Sequence, residues 1–140
     1  MRGVLRRGKF TRADGGFTLV ELLVTMVIIA VLAAIALPLF LVQRQKANDT
    51  AARADLSSLG TAIAAEYTEP SASPSVGIEA GQYKVDANYV ANVSDGVVLQ
   101  GFTPGTETTW CVWVKHPEGD VAATGIRYSA DGGLEPGTCP

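Results

Sequence analysis

Residue types that build catalytic and metal sites are scarce in this chain of 140 residues, which has one histidine and two cysteines. No motif places a nucleophile beside a general base, so the chain is predicted not to be an enzyme. Two cysteines and one histidine do not complete a four-ligand zinc site, and the spacing C-x-x-C is absent. Asp120, Asp131 and Glu135 could support calcium but lack an ordered ligand spacing, and no metal or cofactor is predicted. A glycine-rich phosphate-binding loop is also absent, which argues against an ATPase.

Basic residues are scarce after position 16. Residues 1–16 hold five of the eleven lysines and arginines but one of the fourteen acidic residues, which gives this segment a net charge of +4. The remainder has six basic and thirteen acidic residues, a net charge of −7. Such an acidic body argues against bulk nucleic-acid binding. Since a basic segment before an apolar run stays cytoplasmic, we predict that the body lies outside the cytoplasm.

Charged residues are missing from residues 22–42, an apolar run that only Thr25 and Pro38 interrupt. As a helix, this run is long enough to cross a hydrocarbon core of about 30 Å. Glu21 directly precedes it, and a charge within a bilayer costs about 3 kcal/mol on insertion scales, so an acid in this position is usually functional. Pro38 lacks an amide hydrogen, which predicts a kinked or loosened helix near the end of the run.

The remaining sequence predicts an α+β fold. The helical pattern continues over residues 43–68, where apolar residues at spacings of three and four form one stripe: Ala52, Leu56, Leu59, Ile63 and Tyr67. From residue 69 onwards, a loop with the sequence PSASPS precedes four strand-like runs, QYKV, GVVLQGF, TTWCVWVK and GIRYSA. Short strands with hairpin-length connections form an antiparallel sheet, and one of its faces can cover the helix stripe.

Cys111 and Cys139 are predicted to form a disulfide, because an even number of cysteines outside the cytoplasm favours pairing. The disulfide would close a segment of 28 residues. Closure of a segment of this length would stabilise the domain by roughly 3 to 4 kcal/mol. Trp110 and Trp113 fall on opposite faces of one strand. We therefore expect one of them in the core and the other in an exposed contact or beneath the disulfide loop. His116 precedes a proline in a turn and is predicted to be an ordinary surface residue.

Several features follow one another in a fixed order along the chain. A basic segment ends in Gly16, the aromatic Phe17 comes next, and Glu21 stands four residues later at the start of the apolar helix. Pro38 near the end of that helix, the amphipathic extension, a small sheet and a late cysteine pair complete the series. With the stretch GFTLVELL and Pro38, the chain resembles the type IV pilins and the related pseudopilins of secretion systems. The stretch LFLVQRQKANDTAARADL is also similar to pilins of Gram-positive bacteria.

The resemblance implies two processing steps and two assembly roles. A membrane-embedded prepilin peptidase would cut between Gly16 and Phe17, and the same enzyme would methylate the new amine of Phe17. Glu21 would neutralise this amine, in its own chain or in a neighbour, and would thereby set the register between subunits. An unpaired charge in the low-dielectric core of a filament is strongly unfavourable. Pro38 would accompany local melting of the helix in the assembled filament.

The resemblance also implies a domain organisation and a set of partners. Residues 1–16 would be a cleaved basic leader, and residues 17–42 a transmembrane or filament-core helix. Residues 43–68 would form an amphipathic helix half. The body, 69–140, would contain the αβ-loop, the antiparallel sheet and the C-terminal disulfide loop. The partners would be other copies of the chain and other pilins, the prepilin peptidase, the assembly platform with its ATPase, and the cytoplasmic membrane. The precursor would cross that membrane once, with the leader inside, and would then join an extracellular pilus.

Two alternatives remain open in the sequence. A pseudopilin of a type II-like secretion system, a major pilin and a minor pilin share the same N-terminal signature. An ordinary secretory signal is the other alternative, because Ala34-Ile35-Ala36 resembles a small-x-small cleavage site. A soluble exported domain would then begin at Leu37 and would have no filament core. A carboxylate at the start of a signal's apolar region is unusual, so a filament subunit is the favoured interpretation.

Overall fold

The computed structural model of the chain describes residues 16–68 and 73–140. The predicted leader therefore lies outside the described residues, except for Gly16. The chain divides into two compact units, Met1–Leu37 and Pro38–Pro140. The boundary between them falls inside the apolar run of the sequence.

A long helix, α1, spans Leu19–Glu66. It begins two residues after Phe17 and ends two residues before Thr68, the two bounds that the sequence pattern suggests. Pro38 lies inside α1, and the helical conformation continues on both sides of it. At the C-terminal end, the amide and the hydroxyl of Thr68 both donate to the carbonyl of Ala65, at 3.3 and 2.8 Å. These two bonds satisfy a carbonyl that the end of a helix leaves without a partner.

A three-stranded antiparallel sheet follows the helix in the second unit. Its strands, in spatial order, are β1 (Val76–Glu79), β2 (Gln82–Val85) and β3 (Asn88–Asn92). The central strand β2 corresponds to the predicted run QYKV. The turn between β1 and β2 places Ala80 and Gly81 at positive φ, 52° and 77°, which is the geometry of a two-residue hairpin. An Ala-Gly pair is a weak turn signal, so the sequence pattern did not predict β1.

A second antiparallel sheet has four strands. In spatial order they are β4 (Val98–Thr103), β5 (Cys111–Lys115), β6 (Ile126–Ser129) and β7 (Gly133–Pro136). The first three overlap the predicted runs GVVLQGF, TTWCVWVK and GIRYSA, whereas β7 begins with glycine and ends with proline and has no strand pattern. The α+β class is confirmed, and the strands divide over two sheets rather than one.

The second half of α1 and both sheets enclose one hydrophobic core. The predicted apolar stripe of the helix is fully or almost fully buried in it: Ala52, Leu56, Leu59, Ile63 and Tyr67. The sheets contribute the buried side chains on their inner faces: Tyr83, Val85, Val112, Val114 and Ile126. Full burial of a large apolar side chain contributes about 1.5 to 3 kcal/mol, so the stripe is a principal contact between helix and sheets.

Three aromatic rings stack across this core. Trp110 lies between Tyr67 and Tyr128, with ring centroids 6.1 and 5.7 Å apart and nearly parallel planes. Tyr128 in turn lies against Gly60 of α1, where a β-carbon would come within 2.6 Å of the ring. Trp110 is therefore the tryptophan of the core, as the alternation predicts for one of the two. Trp113, on the other face of β5, is half-buried.

A buried carboxylate of α1 holds the first sheet. Asp55 accepts hydrogen bonds from the hydroxyl of Tyr83 at 3.1 Å, from the amide of Ser94 at 2.9 Å and from the Ser94 hydroxyl at 2.6 Å. Burial, together with the neighbouring charge of Asp55, raises the pKa of Tyr83. Asp55 thus ties the helix to β2 and to the connection between β3 and β4, and its buried charge is satisfied by three donors.

His116 is buried, and the prediction of an ordinary surface residue is wrong. Its Nδ1 accepts the amide hydrogen of Glu118 at 3.1 Å. The ring lies against Gly96, which has a φ of +75° and no room for a β-carbon. The sequence suggests a turn after β5, but His116 is covered by Gly96, which belongs to the connection between β3 and β4. Tertiary packing therefore decides the burial of His116.

Candidate functional site

The predicted processing site lies in a short non-helical segment before α1. Gly16 and Phe17 have no regular secondary structure. Phe17 is 84% exposed, and no described atom lies within 4 Å of the place that a β-carbon on Gly16 would take. The residues that the structure describes therefore leave Phe17 and the β-carbon position of Gly16 uncovered.

Reciprocal hydrogen bonds between Thr18 and Glu21 define the start of α1. The amide and the hydroxyl of Thr18 donate to Glu21 Oε2 at 2.9 and 2.8 Å, and the Glu21 amide donates to Thr18 Oγ1 at 3.2 Å. This arrangement is a capping box, which satisfies two amides that the helix start would leave without partners. It places the helix start immediately after the predicted scissile bond.

The capping box uses only one carboxylate oxygen of Glu21. Oε2 takes both bonds from Thr18, and no hydrogen bond from residues 16–68 or 73–140 reaches Oε1. A cation can therefore approach Oε1 without opening the helix start. Thr18 is not among the predicted site residues, although the pattern Thr-x-x-Glu before an apolar run is the signal of a capping box.

The helix after this box is apolar and exposed. Every leucine, isoleucine, valine, methionine and phenylalanine over residues 19–42 is between 45% and 80% exposed. Among the described residues, α1 contains the one segment whose length and composition suit a membrane span. Exposed apolar area on this scale is far larger than the isolated patches that soluble monomers carry. The segment therefore requires lipid or other protein to cover it.

Pro38 and the two cysteines belong to the second unit. Pro38 has no amide hydrogen, so the carbonyl of Ala34 lacks its usual helical donor. Cys111, the first residue of β5, forms the predicted disulfide with Cys139, with Cα atoms 5.7 Å apart. Of the predicted site residues, Gly16, Phe17 and Glu21 lie together at the helix start, and the disulfide joins Cys111 to Cys139. The proline and the disulfide are separate features.

An ion pair and a hydrogen bond also stabilise the segment that the disulfide closes. Arg127 pairs with Glu135 at 2.8 Å and donates to the carbonyl of Thr138 at 3.5 Å. Glu135, one of the three acids that could support calcium, is engaged in this ion pair. Within the described residues, no three His, Cys, Asp or Glu side chains lie close enough to hold a metal ion.

Comparison with known proteins gives a match at the same helix start. Residues 11–37 match the family model described as the prokaryotic N-terminal methylation motif. The matched range includes Gly16, Phe17 and Glu21 and ends one residue before Pro38. Over this range the chain is similar to proteins that carry the prokaryotic N-terminal methylation motif.

Part of the chain also matches a curated protein. The chain is 54% identical over 41 residues to the type IV wide pilus major component PilA4 of Thermus thermophilus, across 29% of this chain and 31% of that protein. The match thus spans about a third of the relative's length. No solved structure gives a significant match. Motif and relative together support assignment of this chain to the type IV pilin family.

Proposed function

We propose that this protein is the precursor subunit of a type IV pilus or a related filament, and that it polymerises through the first part of α1. The observation that carries the proposal is the exposed apolar segment of residues 19–42, which begins directly after an accessible Gly16–Phe17 bond. A soluble monomer has no use for such a segment. A subunit that is stored in a membrane and then packed among its copies needs it.

The first step in this proposal is hydrolysis of the Gly16–Phe17 bond by a prepilin peptidase. Water adds across the amide and the C–N bond breaks, so that Gly16 gains a carboxylate and Phe17 gains an amine. The peptidase would then transfer a methyl group to this amine from a sulfonium methyl donor, which leaves as a neutral thioether while the amine loses a proton. The capping box of Thr18 and Glu21 supports this step because it keeps the helix from extending into the scissile bond. The chain is the substrate in both reactions and is itself not an enzyme.

The second step is transfer of the apolar segment from lipid to a bundle of like helices. Hydrocarbon and leucine are equally apolar, so helix packing and polar contacts decide this association rather than the hydrophobic effect. The new amine of Phe17 would otherwise carry an unpaired charge into the bundle. Oε1 of Glu21 is a suitable partner for it, from the same chain or from a neighbour. This pairing would fix the register of the subunits.

The proposal names partners and a location. Other copies of the chain and other pilins would cover the apolar segment, while the assembly platform and its ATPase would supply the energy of assembly. The precursor would cross the cytoplasmic membrane once, with residues 1–16 inside because of their positive charge. In the membrane-bound precursor, the sheets would lie on the outer side of the membrane. In the assembled filament, they would form its outer surface. Pro38 would allow the helix to lose local structure during packing.

The mass of the N-terminal peptide tests this proposal, measured on filaments sheared from cells and on the membrane fraction. A peptide that begins with N-methylated Phe17 in sheared filaments is the expected result. The same peptide confined to membranes would instead favour a pseudopilin or a minor pilin. A chain that begins at Leu37 would mean that the apolar run is a discarded secretory signal, and the proposal would be wrong.

A further inference from the structure

The connection between β5 and β6 holds the part of α1 that follows the apolar segment. The side chain of Arg44 pairs with the carboxylate of Glu118 at 2.9 Å. One turn later, the side-chain amide of Asn48 donates to the backbone carbonyl of Glu118 at 3.2 Å. Because residues four apart lie on the same side of a helix, both contacts fall on one face of α1.

A buried carboxylate completes this contact. Asp49 Oδ2 accepts the backbone amides of Asp120 and Val121, at 3.0 and 3.2 Å. Its Oδ1 lies so close to Gly119 that a β-carbon at that position would collide with it. Asp49 is 8% exposed, so these bonds are shielded from water. A side chain at position 119 would therefore displace the Asp49 carboxylate from this contact.

The connection itself is internally braced. Gly119 donates its amide to the carbonyl of His116 at 3.0 Å, and the Nδ1 of His116 accepts the amide of Glu118. Further along, the amide of Gly125 donates to the carbonyl of Val121 at 2.7 Å. The residues that contact α1 are therefore held in place by bonds of their own connection. We call residues 116–121 the clamp.

On the N-terminal side of its contacts with the clamp, α1 makes few tertiary contacts. Residues 38–47 are all exposed, and Arg44 is the one among them whose side chain bonds to a described residue outside α1. Pro38 removes a helical hydrogen bond at the beginning of this stretch. Few buried contacts and a missing helical bond are the features of a segment that opens locally.

We propose that the clamp is a stop for local opening of α1: opening that spreads from Pro38 ends at Arg44–Asp49. Beyond that point, an opening must break the bonds of Arg44 and Asn48 and the two bonds that Asp49 Oδ2 accepts from the backbone amides of Asp120 and Val121. The inference concerns the single chain and does not require that the chain polymerises. It divides α1 into a segment that opens easily and a segment that opens only with the domain.

Amide hydrogen exchange with residue resolution tests the proposal on the full chain in detergent micelles. Amides of residues 43–47, which follow the apolar segment and donate to the carbonyls of residues 39–43, are expected to exchange at least tenfold faster than those of residues 48–54. In Asp49→Asn, exchange over 46–52 is expected to rise at least fivefold, while amides of β2 and β5 stay within twofold of the unmodified chain. Asp120→Asn is the matched control, because Asp120 is exposed and lends the clamp only its backbone amide; it should behave as the unmodified chain.

Two results would overturn the inference. One is an unmodified chain with no step in exchange between residues 38 and 54. The other is an Asp49→Asn variant in which the β2 and β5 amides accelerate as much as those of α1, because Asp49 would then stabilise the whole domain and no stop would exist. Arg44→Gln provides a milder variant for which folding is not in question. It should raise exchange over residues 44–47 alone, and no change there would also count against the clamp.

Discussion

Thr18 and Glu21 cap the start of α1 reciprocally, since each side chain bonds to the backbone amide of the other residue. The pair lies between the predicted scissile bond and the apolar segment. One carboxylate thus has a structural bond to Thr18 and a second oxygen, Oε1, that faces no described donor. The capping role of Glu21 and its proposed role in assembly can therefore be separated by mutation.

Removal of the Thr18 hydroxyl should loosen the helix start. Thr18→Val keeps the shape of the side chain but loses the bonds of Oγ1, and loss of an N-cap costs about 1 kcal/mol. The amide of Glu21 should then exchange about fivefold faster in the full chain in micelles. Thr18→Ser retains the hydroxyl and should exchange like the unmodified chain. Equal exchange in Thr18→Val and Thr18→Ser would contradict the capping role.

Loss of charge at Glu21 should impair assembly while leaving the helix start intact. Glutamine is as suitable as glutamate in a capping box, so Glu21→Gln removes the charge and keeps the cap. If the proposed function holds, sheared filaments should fall at least tenfold, while the membrane fraction still contains chains that begin at methylated Phe17. Glu107→Gln, in the exposed loop between β4 and β5, is the matched control. Normal filament yield from Glu21→Gln would refute the charge pairing.

Gly60→Ala should destabilise the protein, against the usual trend for helices. Alanine has a higher helix propensity than glycine by about 1 kcal/mol, but a β-carbon here would meet the ring of Tyr128 at 2.6 Å. Overpacking of this kind costs about 1 to 3 kcal/mol. Chemical denaturation of the full chain in micelles measures the change. Adding Tyr128→Leu should recover part of the loss specifically in the Gly60→Ala background. A stabilised Gly60→Ala variant would show that the ring moves aside.

The disulfide should contribute substantially to stability. Replacing both Cys111 and Cys139 by serine is expected to lower the free energy of unfolding by about 3 to 4 kcal/mol, since the open chain has more freedom when unfolded. Denaturation of the double variant, followed by tryptophan fluorescence, gives this value. Reduction of the unmodified protein should produce a similar loss, whereas a reductant should leave the double variant unchanged. A loss below 1 kcal/mol in both experiments would contradict the prediction.

Tyr83 should make the domain sensitive to alkali. Burial and the charge of Asp55 raise the pKa of Tyr83 in the folded state, so the protonated phenol stabilises the fold. This contribution is complete below the unfolded pKa of about 10 and is lost as pH rises towards the higher folded value. The free energy of unfolding should therefore fall more steeply above pH 10 in the unmodified protein than in Tyr83→Phe. Parallel pH profiles for the two proteins would exclude this linkage.

The local features of the chain were predictable because each depends on neighbouring residues. The apolar stripe from Ala52 to Tyr67 follows from helical spacing alone, and its burial is confirmed. Strands β2, β4, β5 and β6 follow from alternation and turn residues. Strands β1, β3 and β7 did not, because four or five residues with glycine, asparagine or proline carry too little pattern. The Thr18–Glu21 box is equally local, because the spacing Thr-x-x-Glu before an apolar run indicates it.

The sequence by itself determined where the chain is apolar, where its charges lie and which face of α1 is buried, since these properties are local and periodic. Tertiary structure alone decided which carboxylate of α1 accepts hydrogen bonds from which connection. Asp49 meets Asp120 and Val121 more than seventy residues away, and Asp55 meets Ser94. It also decided that His116 is buried and that Gly60 receives a ring. Such contacts join residues far apart in sequence, and only the fold brings them within bonding distance.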